Sequence, residues 1–515
     1  MSTNLAWLLR LPLILAAMVV QVHGLSPPGF LSLDCGLANK SAYNDSITGL
    51  LYISDSGFVE GGLSYQISAN LMDQATNEQE KTLRSFPGGQ RNCYTLPSIP
   101  GKRYLLRTTF TYGNYDGLNK TEDGSLFLFG LHIGVNLWAT VNLTNSGNST
   151  NTFWKEVLTV APDRFISVCL INFGLGTPFV SSLEMRRIGD SMYPFVNSSV
   201  SASYFSRLRF GAVDEFISRY PMDSYDRFWE RFDNWSYPWV NLTSKNKAMS
   251  SPPANHCDDF SFSVPSAILQ RASTIESNFS WFSITVEANS NLQSETMELI
   301  PIFHFAEVGD VNGGARRTFD LSVDDEQLLH NFTLPATSPV TKFDSSTRRR
   351  GSRARIVLRR SPGSDLPPLI NALELHSRVW MINLTTASGD VDSMESIKEK
   401  YMVTRNWNGD PCSPRDYTWD GLNCIYPNGH QNPRVVELNL SASGLRGEIA
   451  TSFMSMSSLE KLDLSNNNLT GTVPDYRLYS LRVLNLSNNQ LIGPIPDSVL
   501  QRIVAGQLDL RFGML

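Results

Sequence analysis

The sequence predicts a mainly β protein built from several units, the last of which is a short repeat solenoid. Over most of the chain, short apolar or alternating runs recur between Gly, Asn and Asp clusters, and no long helical period appears. Near the end, apolar residues return at a fixed spacing of 22 residues, as from Leu459 to Leu481, which is typical of stacked repeats. A chain of 515 residues has room for roughly two to four domains.

The C-terminal part matches the leucine-rich-repeat pattern L-x-x-L-x-L-x-x-N-x-L-x-G-x-[VI]-P. Complete copies run from Leu459 to Pro474 and from Leu481 to Pro496. A partial copy begins at Val435, with Ser443 in place of Asn and Ala450 in place of Pro. In each coil the leucines of the Leu-x-Leu strand point inward, and the Asn bonds backbone groups in the turn. Each coil buries its apolar face only against its neighbours, so we expect a solenoid.

A Cys-Trp-Cys segment, Asn406–Cys424, directly precedes the repeats and contains the turn-forming run Gly-Asp-Pro. Cys412 and Cys424 are the closest cysteines in the chain, and Trp407 and Trp419 are large apolar groups. We expect a Cys412–Cys424 disulfide in an N-terminal cap, because an uncapped stack exposes its leucines. Such a bond is worth about 3 kcal/mol in the chain-entropy model. The alternative is a loop with two unrelated thiols.

Residues 1–24 are typical of a signal peptide. Arg10 supplies a positive charge, Leu11–Val20 is apolar apart from Pro12, and Gly24 offers a small residue for cleavage. The alternative is an uncleaved membrane anchor. The sequence has no other run of about twenty apolar residues.

Glycosylation sequons also favour the secretory route. The chain contains fourteen N-x-[ST] sites, which predict a heavily glycosylated surface. They are Asn39, Asn44, Asn119, Asn142, Asn148, Asn197, Asn234, Asn241, Asn278, Asn331, Asn383, Asn439, Asn468 and Asn485.

Composition narrows the class of protein. A hydrophobic content of 41% is ample for packed cores. A net charge of −6 lacks the basic excess that is typical of nucleic-acid-binding proteins. Six cysteines suit a secreted protein with roughly one to three disulfides. Besides the expected cap bond, Cys35, Cys93, Cys169 and Cys257 allow three pairings, and the sequence does not choose among them.

Landmarks in the first four hundred residues identify a family. They are Asp34-Cys35-Gly36, Arg91-Asn92-Cys93-Tyr94, Tyr112-Gly113-Asn114-Tyr115-Asp116, Arg219-Tyr220-Pro221, Tyr225-Asp226-Arg227 and Pro301–Val308. With the Gly-Asp-Pro-Cys cap and the plant-type Gly-x-Ile-Pro repeats, the chain resembles the extracellular part of plant malectin-like, leucine-rich-repeat receptor kinases. The resemblance extends from Leu33 over essentially the whole chain.

The resemblance implies two tandem malectin-like β-sandwich domains followed by a short capped leucine-rich-repeat solenoid. The expected boundaries are 1–24 for the signal peptide, 25–205 and 206–385 for the two malectin-like domains, 386–434 for linker and cap, and 435–515 for about three repeats. The relatives continue into a membrane helix and a Ser/Thr kinase domain, whose motifs this sequence lacks. The stop at Leu515 is therefore expected to mark either a short form that acts as a decoy or a truncated sequence.

Malectin binds a disaccharide through aromatic rings and an Asp on loops. Tyr112, Tyr115 and Asp116 lie in a comparable loop of the first unit and are candidate glycan-binding residues, although the same residues suit a turn and core. The equivalent loop of the second unit, Phe305–Val308, continues with Gly309 rather than with aromatic residues.

A basic cluster stands out in an otherwise slightly acidic chain: Arg348, Arg349, Arg350, Arg353, Arg355, Arg359 and Arg360. It is a candidate patch for an anionic polymer such as cell-wall pectin. The alternative is a solvated edge strand and loop, since charges on an edge discourage pairing with other chains.

On the solenoid, Asn439 and Asn485 each lie between two inward leucines and so point outward, because strand side chains alternate. Both are sequons. Glycans there would cover the concave surface, so ligand contact is expected mainly on the malectin-like pair.

No catalytic, metal-binding or cofactor motif was found in the sequence. The predicted function is a receptor ectodomain, secreted or at the cell surface, and not an enzyme. Its expected partner is a cell-wall carbohydrate, a peptide or a co-receptor ectodomain. The alternative from another class is a secreted carbohydrate-active enzyme or inhibitor on β-sandwich scaffolds, but glycosidases need two carboxylates across a cleft and no pair is identifiable.

Overall fold

The computed structural model describes residues 26–513, apart from 40, 148–150, 214–216, 233–239, 243–245, 251–261, 277–278, 288–297, 309–313, 346–348, 351–352, 430 and 476–477. The described chain is mainly β, as predicted. We divide it by strands into a first unit (β1–β13), a second unit (β14–β28) and a solenoid (β29–β36).

The strands of the first unit are β1 (Phe30–Asp34), β2 (Ala42–Asn44), β3 (Leu51–Ser54), β4 (Leu63–Gln66), β5 (Thr82–Ser85), β6 (Arg91–Pro97), β7 (Arg103–Thr111), β8 (Leu128–Ile133), β9 (Asn136–Asn142), β10 (Thr152–Val160), β11 (Phe165–Leu175), β12 (Phe179–Val180) and β13 (Ser182–Arg187).

The second unit contains β14 (Val200–Arg209), β15 (Ile217–Ser218), β16 (Trp229–Arg231), β17 (Val240–Leu242), β18 (Asn246–Ser250), helix α1 (Ser266–Leu269), β19 (Arg271–Ile275), β20 (Trp281–Glu287), β21 (Glu298–Phe305), β22 (Thr318–Val323), β23 (Glu326–Thr333), β24 (Val340–Phe343), β25 (Arg349–Arg350), β26 (Arg353–Arg360), β27 (Leu369–Ile370) and β28 (Ala372–Trp380).

The last part contains helix α2 (Ser388–Tyr401), β29 (Leu422–Ile425), β30 (Arg434–Asn439), β31 (Arg446–Glu448), β32 (Lys461–Asp463), β33 (Asn468–Gly471), β34 (Val483–Asn485), β35 (Gln490–Leu491), helix α3 (Asp497–Val504) and β36 (Asp509–Arg511). Short 3-10 turns lie at Ala69–Gln74, Glu78–Glu80, Arg415–Tyr417 and Thr451–Met454.

One sheet runs through both units. Its described strands follow the order β2-β3-β1-β13-β7-β10-β14-β28-β21-β24. The units join where β10 pairs antiparallel with β14, at Val157 opposite Ser203 and Leu158 opposite Ala202. The boundary predicted between residues 205 and 206 falls inside β14.

Each unit packs a second sheet against one face of this shared sheet. In the first unit, Leu106 and Phe110 of β7 contribute to a buried core with Phe129 and Val168 from the sheet β6-β11-β8-β9. In the second, the sheet β17-β20-β26-β22-β23 contributes its own apolar face, including Ile356, to a separate core. The alternation of inward and outward residues along each strand, with a period of two, separates core from surface.

The solenoid coils stack in parallel, with Leu438, Leu462, Leu484 and Leu510 in register. The Nδ2 group of Asn467 donates to the carbonyls of Leu440 and Leu464, at 2.8 and 2.9 Å. Asn489 makes the equivalent bonds one coil further on. The predicted Asn ladder is therefore present.

The segment before the repeats contains a helix that sequence patterning did not reveal. Helix α2 buries only two apolar side chains, Met394 and Ile397, in the solenoid cluster, so its apolar stripe is too short to recognise. The carboxylate of Asp390 holds it in place by accepting bonds from the Arg434 side chain and the Val435 amide, each at 2.9 Å.

The described part of the chain contains two disulfides. Cys412 is bonded to Cys424, as predicted, and Trp407 and Trp419 stack in the same buried cluster with ring centroids 5.1 Å apart. Of the pairings left open, the structure contains Cys93–Cys169, between neighbouring strands β6 and β11. Cys35 is buried with a free thiol. Cys257 lies outside the described residues.

Candidate functional site

A row of acidic side chains alternating with basic ones crosses the shared sheet from one unit to the other. It consists of Glu184, Arg107, Glu156, Arg207, Glu374 and His304, on the adjacent strands β13, β7, β10, β14, β28 and β21. We call this row the charge ladder. Its successive contacts are 2.5, 2.7, 3.1, 2.7 and 2.9 Å long, and every member is at most 2% exposed.

The ladder is locked at its first-unit end by the segment that follows β15. The carboxylate of Asp226 accepts bonds from Arg219 at 2.7 and 2.8 Å and from Arg186 at 2.8 Å. The side chain of Arg219 also reaches Glu184 at 3.3 Å. Buried charges are tolerated only when they are paired in this way.

Pairing determines the protonation of these carboxyl groups. Burial by itself would raise the pKa of Glu184, but the guanidinium groups of Arg219, Arg107 and Arg186 lower it to about 2. The same balance, burial against Arg219 and Arg186, holds the pKa of Asp226 below its usual value. Both groups therefore remain charged at physiological pH.

A cleft of about 660 Å³ opens above this end of the ladder. We call it the junction cleft because both units line it. The first unit contributes Asp45, Ile47, Glu80, Trp154 and Glu184, and the second contributes Arg219, Tyr220, Met222 and Phe228.

Phe228 lies between the junction cleft and Arg107 of the ladder. Its ring centroid lies 3.5 Å from Cζ of Arg107 and 4.6 Å from Cζ of Arg219, so two guanidinium groups contact one ring. The Trp154 ring meets its edge at a centroid distance of 5.6 Å. The result is an aromatic wall over paired charges, which suits a ligand with both apolar and polar groups.

The Tyr-rich loop is more buried than a ring-stacking site requires. Tyr112 is 2% exposed, its ring is covered by Tyr115, Phe127 and Phe179, and its hydroxyl donates to Asp116. Tyr112 therefore offers no ring face to a ligand. Tyr115 is half-buried and its ring centroid lies 5.1 Å from that of Tyr65, which is 37% exposed.

The arginine cluster is divided between two sheets. Arg349 and Arg350 form β25, which pairs with β21 of the shared sheet, whereas Arg353 begins β26. Arg348 lies outside the described residues. Strand β26 is flanked by β20 and β22 and so is not an edge strand, whereas, among the described strands, β25 pairs with β21 alone. Arg360 donates to the Ser364 carbonyl at 2.6 Å and so stabilises a turn.

Arg355 and Arg359 are exposed on the outer face of β26 and flank Trp281, with Cζ 5.9 and 6.0 Å from the ring centroid. The indole is 38% exposed. Sequence reasoning found the two arginines but missed the tryptophan between them, because it lies on another strand.

The described sequons are mostly accessible. Exposed asparagines are Asn39, Asn44, Asn119, Asn197, Asn331, Asn383, Asn439 and Asn468, and Asn142 and Asn485 are half-buried. The backbone of Asn241 lies in β17, whereas Asn148, Asn234 and Asn278 lie outside the described residues. Glycosylation itself stays a prediction.

The charge ladder was not predicted from the sequence. The signal was present, since Arg107, Glu156 and Glu374 each stand in a strand of mostly apolar or small residues. A charge in such a position is buried and needs a partner. Partners on neighbouring strands cannot be chosen from the sequence alone. Within the described residues, no group of His, Cys, Asp and Glu side chains is arranged to hold a metal ion.

The fold and the paired, solvent-excluded charges define a multi-unit β scaffold with a cleft between units. The chain belongs to the malectin-like domain family, whose model matches residues 33–378. A second family model, of leucine-rich repeats in two copies, matches residues 457–500. These matches confirm the resemblance predicted from the landmarks.

The relatives are receptor kinases. A probable LRR receptor-like serine/threonine-protein kinase of Arabidopsis thaliana is 39% identical over 450 residues, which cover 86% of this chain and 49% of the relative. The chain thus spans about half the length of the curated relatives it matches. The matched regions of this chain are malectin-like and leucine-rich-repeat regions.

Solved structures share the fold. The plant receptor-like kinase FER matches with a TM-score of 0.54 and 17% identity, covering 68% of this chain and 96% of that chain. A crystal structure of the plant peptide RALF23 in complex with FER and LLG2 matches with a TM-score of 0.51 and 16% identity, covering 69% and 96%. No helix among the described residues combines the length and apolar character of a membrane span.

Proposed function

We propose that this chain is the ligand-sensing extracellular region of a plant receptor-like kinase, and that its ligand is a peptide held in the junction cleft. The observation that carries the proposal is that both units line one cleft of about 660 Å³. A ligand seated there contacts both units at once. The kinase relatives and the peptide complex of a structural neighbour support the same interpretation.

The lining favours a basic peptide with apolar side chains. Asp45 and Glu80 supply two carboxylates that accept bonds from uncharged donors, whereas the carboxylate of Glu184 is paired with Arg219 and Arg107. Trp154, Tyr220 and Phe228 offer ring surface for apolar side chains. A co-receptor ectodomain, as in the complex of FER with LLG2, is the second proposed partner.

The finer architecture belongs to this proposal. The two cores support two malectin-like β-sandwich domains, expected at about 25–205 and 206–385 and divided here just before β14, and the buried Trp407–Trp419 stack supports a cap on the repeats. The chain would be non-catalytic and glycosylated and would lie outside the cell, secreted or at the plasma membrane. The alternative of a carbohydrate-active enzyme gains no support, because the carboxylates in the cleft are engaged in local bonds.

A second proposed ligand class is carbohydrate. The Trp281 ring between Arg355 and Arg359 would take an acidic saccharide, and the Tyr65–Tyr115 pair, with Asp116 nearby, a neutral one. The exposed rings of Trp281 and Tyr65, which can stack on the faces of sugars, support these two proposed sites.

The test of the main proposal is calorimetric titration of the glycosylated full chain with synthetic amphipathic peptides rich in Lys and Arg. We expect Trp154→Ala to weaken binding at least about tenfold, because it removes one wall of the cleft. Trp281→Ala is the matched control, since that indole is exposed and lies on a different sheet from Trp154. Equal losses in both variants, or tighter binding of acidic than of basic peptides, would contradict the proposal.

A further inference from the structure

The outer face of the sheet β6-β11-β8-β9 is covered by the segment that precedes the repeats. We call Gly409–Ser413 the latch segment. The guanidinium group of Arg91 on β6 donates to the carbonyls of Asp410 and Ser413, each at 2.5 Å. Arg91 is 3% exposed, so these bonds lie inside the contact and not at its rim.

The latch segment lies directly on the first-unit disulfide. Gly409 has a φ of +67°, and a Cβ placed on it would lie 2.9 Å from Sγ of Cys93. Tyr417 packs on the small buried cluster of Cys93, Cys169 and Ile171. A glycine is therefore required at position 409 for two reasons, the positive φ of the backbone and the close approach of the Cys93 sulfur.

The same segment also holds the connection between the second unit and the solenoid. The Asp410 carboxylate accepts bonds from the Thr386 amide at 2.8 Å and from the Ser413 amide at 2.8 Å. The Ser413 hydroxyl donates to the Leu384 carbonyl at 2.6 Å. On the other side of the connection, Asn383 donates to Val135 of the first unit at 3.1 Å.

We infer that the latch segment locks the solenoid to the first unit, so that the malectin-like region and the repeats move as one rigid body. The chain between β28 and α2 would otherwise act as a hinge, but it is bonded to the first unit and to the latch segment. An ion pair outside the segment, Lys398 with Glu60 at 2.9 Å, bridges the same two bodies. The Gly-Asp-Pro-Cys run thus serves an interface between units as well as the cap of the repeats.

The latch segment shields the Cys93–Cys169 disulfide from solvent, and this shielding can be measured. Cys93 and Cys169 are 5% and 0% exposed while the latch segment covers them. Their disulfide is therefore protected from a phosphine reductant unless the solenoid moves away. The rate at which these two cysteines become alkylated under reductant measures how often the latch segment opens, because a buried group reacts only while the structure around it is locally open.

The experiment compares two glycine substitutions in the glycosylated full chain. Gly409→Ala is expected to raise the alkylation rate of Cys93 and Cys169 at least about tenfold and to increase the radius of gyration in solution scattering. Gly429→Ala is the matched control, because Gly429 has a φ of +86° but a Cβ there meets nothing within 4 Å. Its rate and radius should match those of the unchanged chain.

Arg91→Met provides a second variant in case Gly409→Ala does not fold. It removes both bonds to the latch segment and keeps an unbranched apolar side chain, so it should also accelerate alkylation. Unchanged alkylation rates and radius in a folded Gly409→Ala or Arg91→Met protein would overturn the inference. Equal acceleration in Gly429→Ala would overturn it as well, because backbone strain alone would then explain the effect.

Discussion

Nε of Arg207 lies 2.7 Å from the carboxylate of Glu374, and both side chains are fully buried. The same guanidinium group reaches Glu156 of the first unit at 3.1 Å. Arg207 is therefore the residue through which the charge ladder passes from one unit to the other.

Removing this charge should be costly. We expect Arg207→Met to lower the free energy of unfolding by about 3–5 kcal/mol, because it leaves Glu156 and Glu374 buried with one cation fewer. Arg446→Met, at an exposed position on the solenoid, should change it by less than about 0.5 kcal/mol. Urea denaturation, with hydrogen exchange followed on β14 and β28, measures both effects. Similar losses in the two variants would show that the ladder contributes little.

Asp34 should make stability depend on pH. Burial raises the pKa of its carboxyl to about 6, although Thr82 and Tyr43 donate hydrogen bonds to it. The folded state therefore holds the proton more tightly than the unfolded state, whose pKa is about 3.9. The free energy of unfolding should fall as pH rises from about 4 to about 6, by about 3 kcal/mol, and stay level above that.

Asp34→Asn should remove this dependence, so that the variant gains stability over the unchanged chain at pH 7 but not at pH 4. Urea unfolding at the two pH values checks this expectation. Asp163→Asn, at an exposed carboxyl, is the control and should change neither value. A difference between Asp34→Asn and the unchanged chain that does not vary with pH would count against the assignment.

Trp281, Arg355 and Arg359 should bind acidic sugars. The double change Arg355→Gln with Arg359→Gln should weaken binding of an oligogalacturonide at least about tenfold, because both cations beside the ring are lost. Trp281→Ala should weaken acidic and neutral oligosaccharides alike, since the ring stacks on either. Calorimetry at low and high salt separates the contribution of the two arginine charges from that of ring stacking, because salt screens only the charges. Arg446→Gln serves as the control.

Occupancy should differ between the two sequons on the Leu-x-Leu strands of the solenoid. Asn439 is exposed, whereas Asn485 is half-buried and its Nδ2 group donates to Asp463 at 3.0 Å. Because that nitrogen carries the glycan, we expect high occupancy at Asn439 and low occupancy at Asn485. Glycopeptide mass spectrometry of secreted protein gives both values. Full occupancy at Asn485 would restore the expectation that glycans cover the whole concave surface.

The solenoid was the most predictable part of the molecule. Its contacts are local, so Leu462 over Leu484 and the Asn467 ladder follow directly from the repeat spacing. The Cys412–Cys424 bond was also accessible, since these cysteines are 12 residues apart. Family resemblance rather than periodicity identified the two β units.

The junction cleft was not predictable, because its parts meet only after long-range strand pairing. Trp154 and Phe228 are separated by more than seventy positions, and Arg219 and Tyr220 appeared in the sequence only as family landmarks. Tyr112 fits the alternative kept from the sequence, in which this loop motif serves a turn and core. The loop folds its first ring into the core.

The shared sheet has a consequence for biosynthesis. Strand β14 begins at Val200, but its partner β28 ends at Trp380, to which Val200 is paired. While the chain is being made, the edge of β14 that pairs with β28 stays open, and Arg207 lacks its partner Glu374, until almost the whole second unit has emerged. Such an edge invites pairing with other chains. Folding of this protein should therefore depend on chaperones that shield nascent strands, and a chain that stops before residue 374 should aggregate rather than form a smaller folded domain.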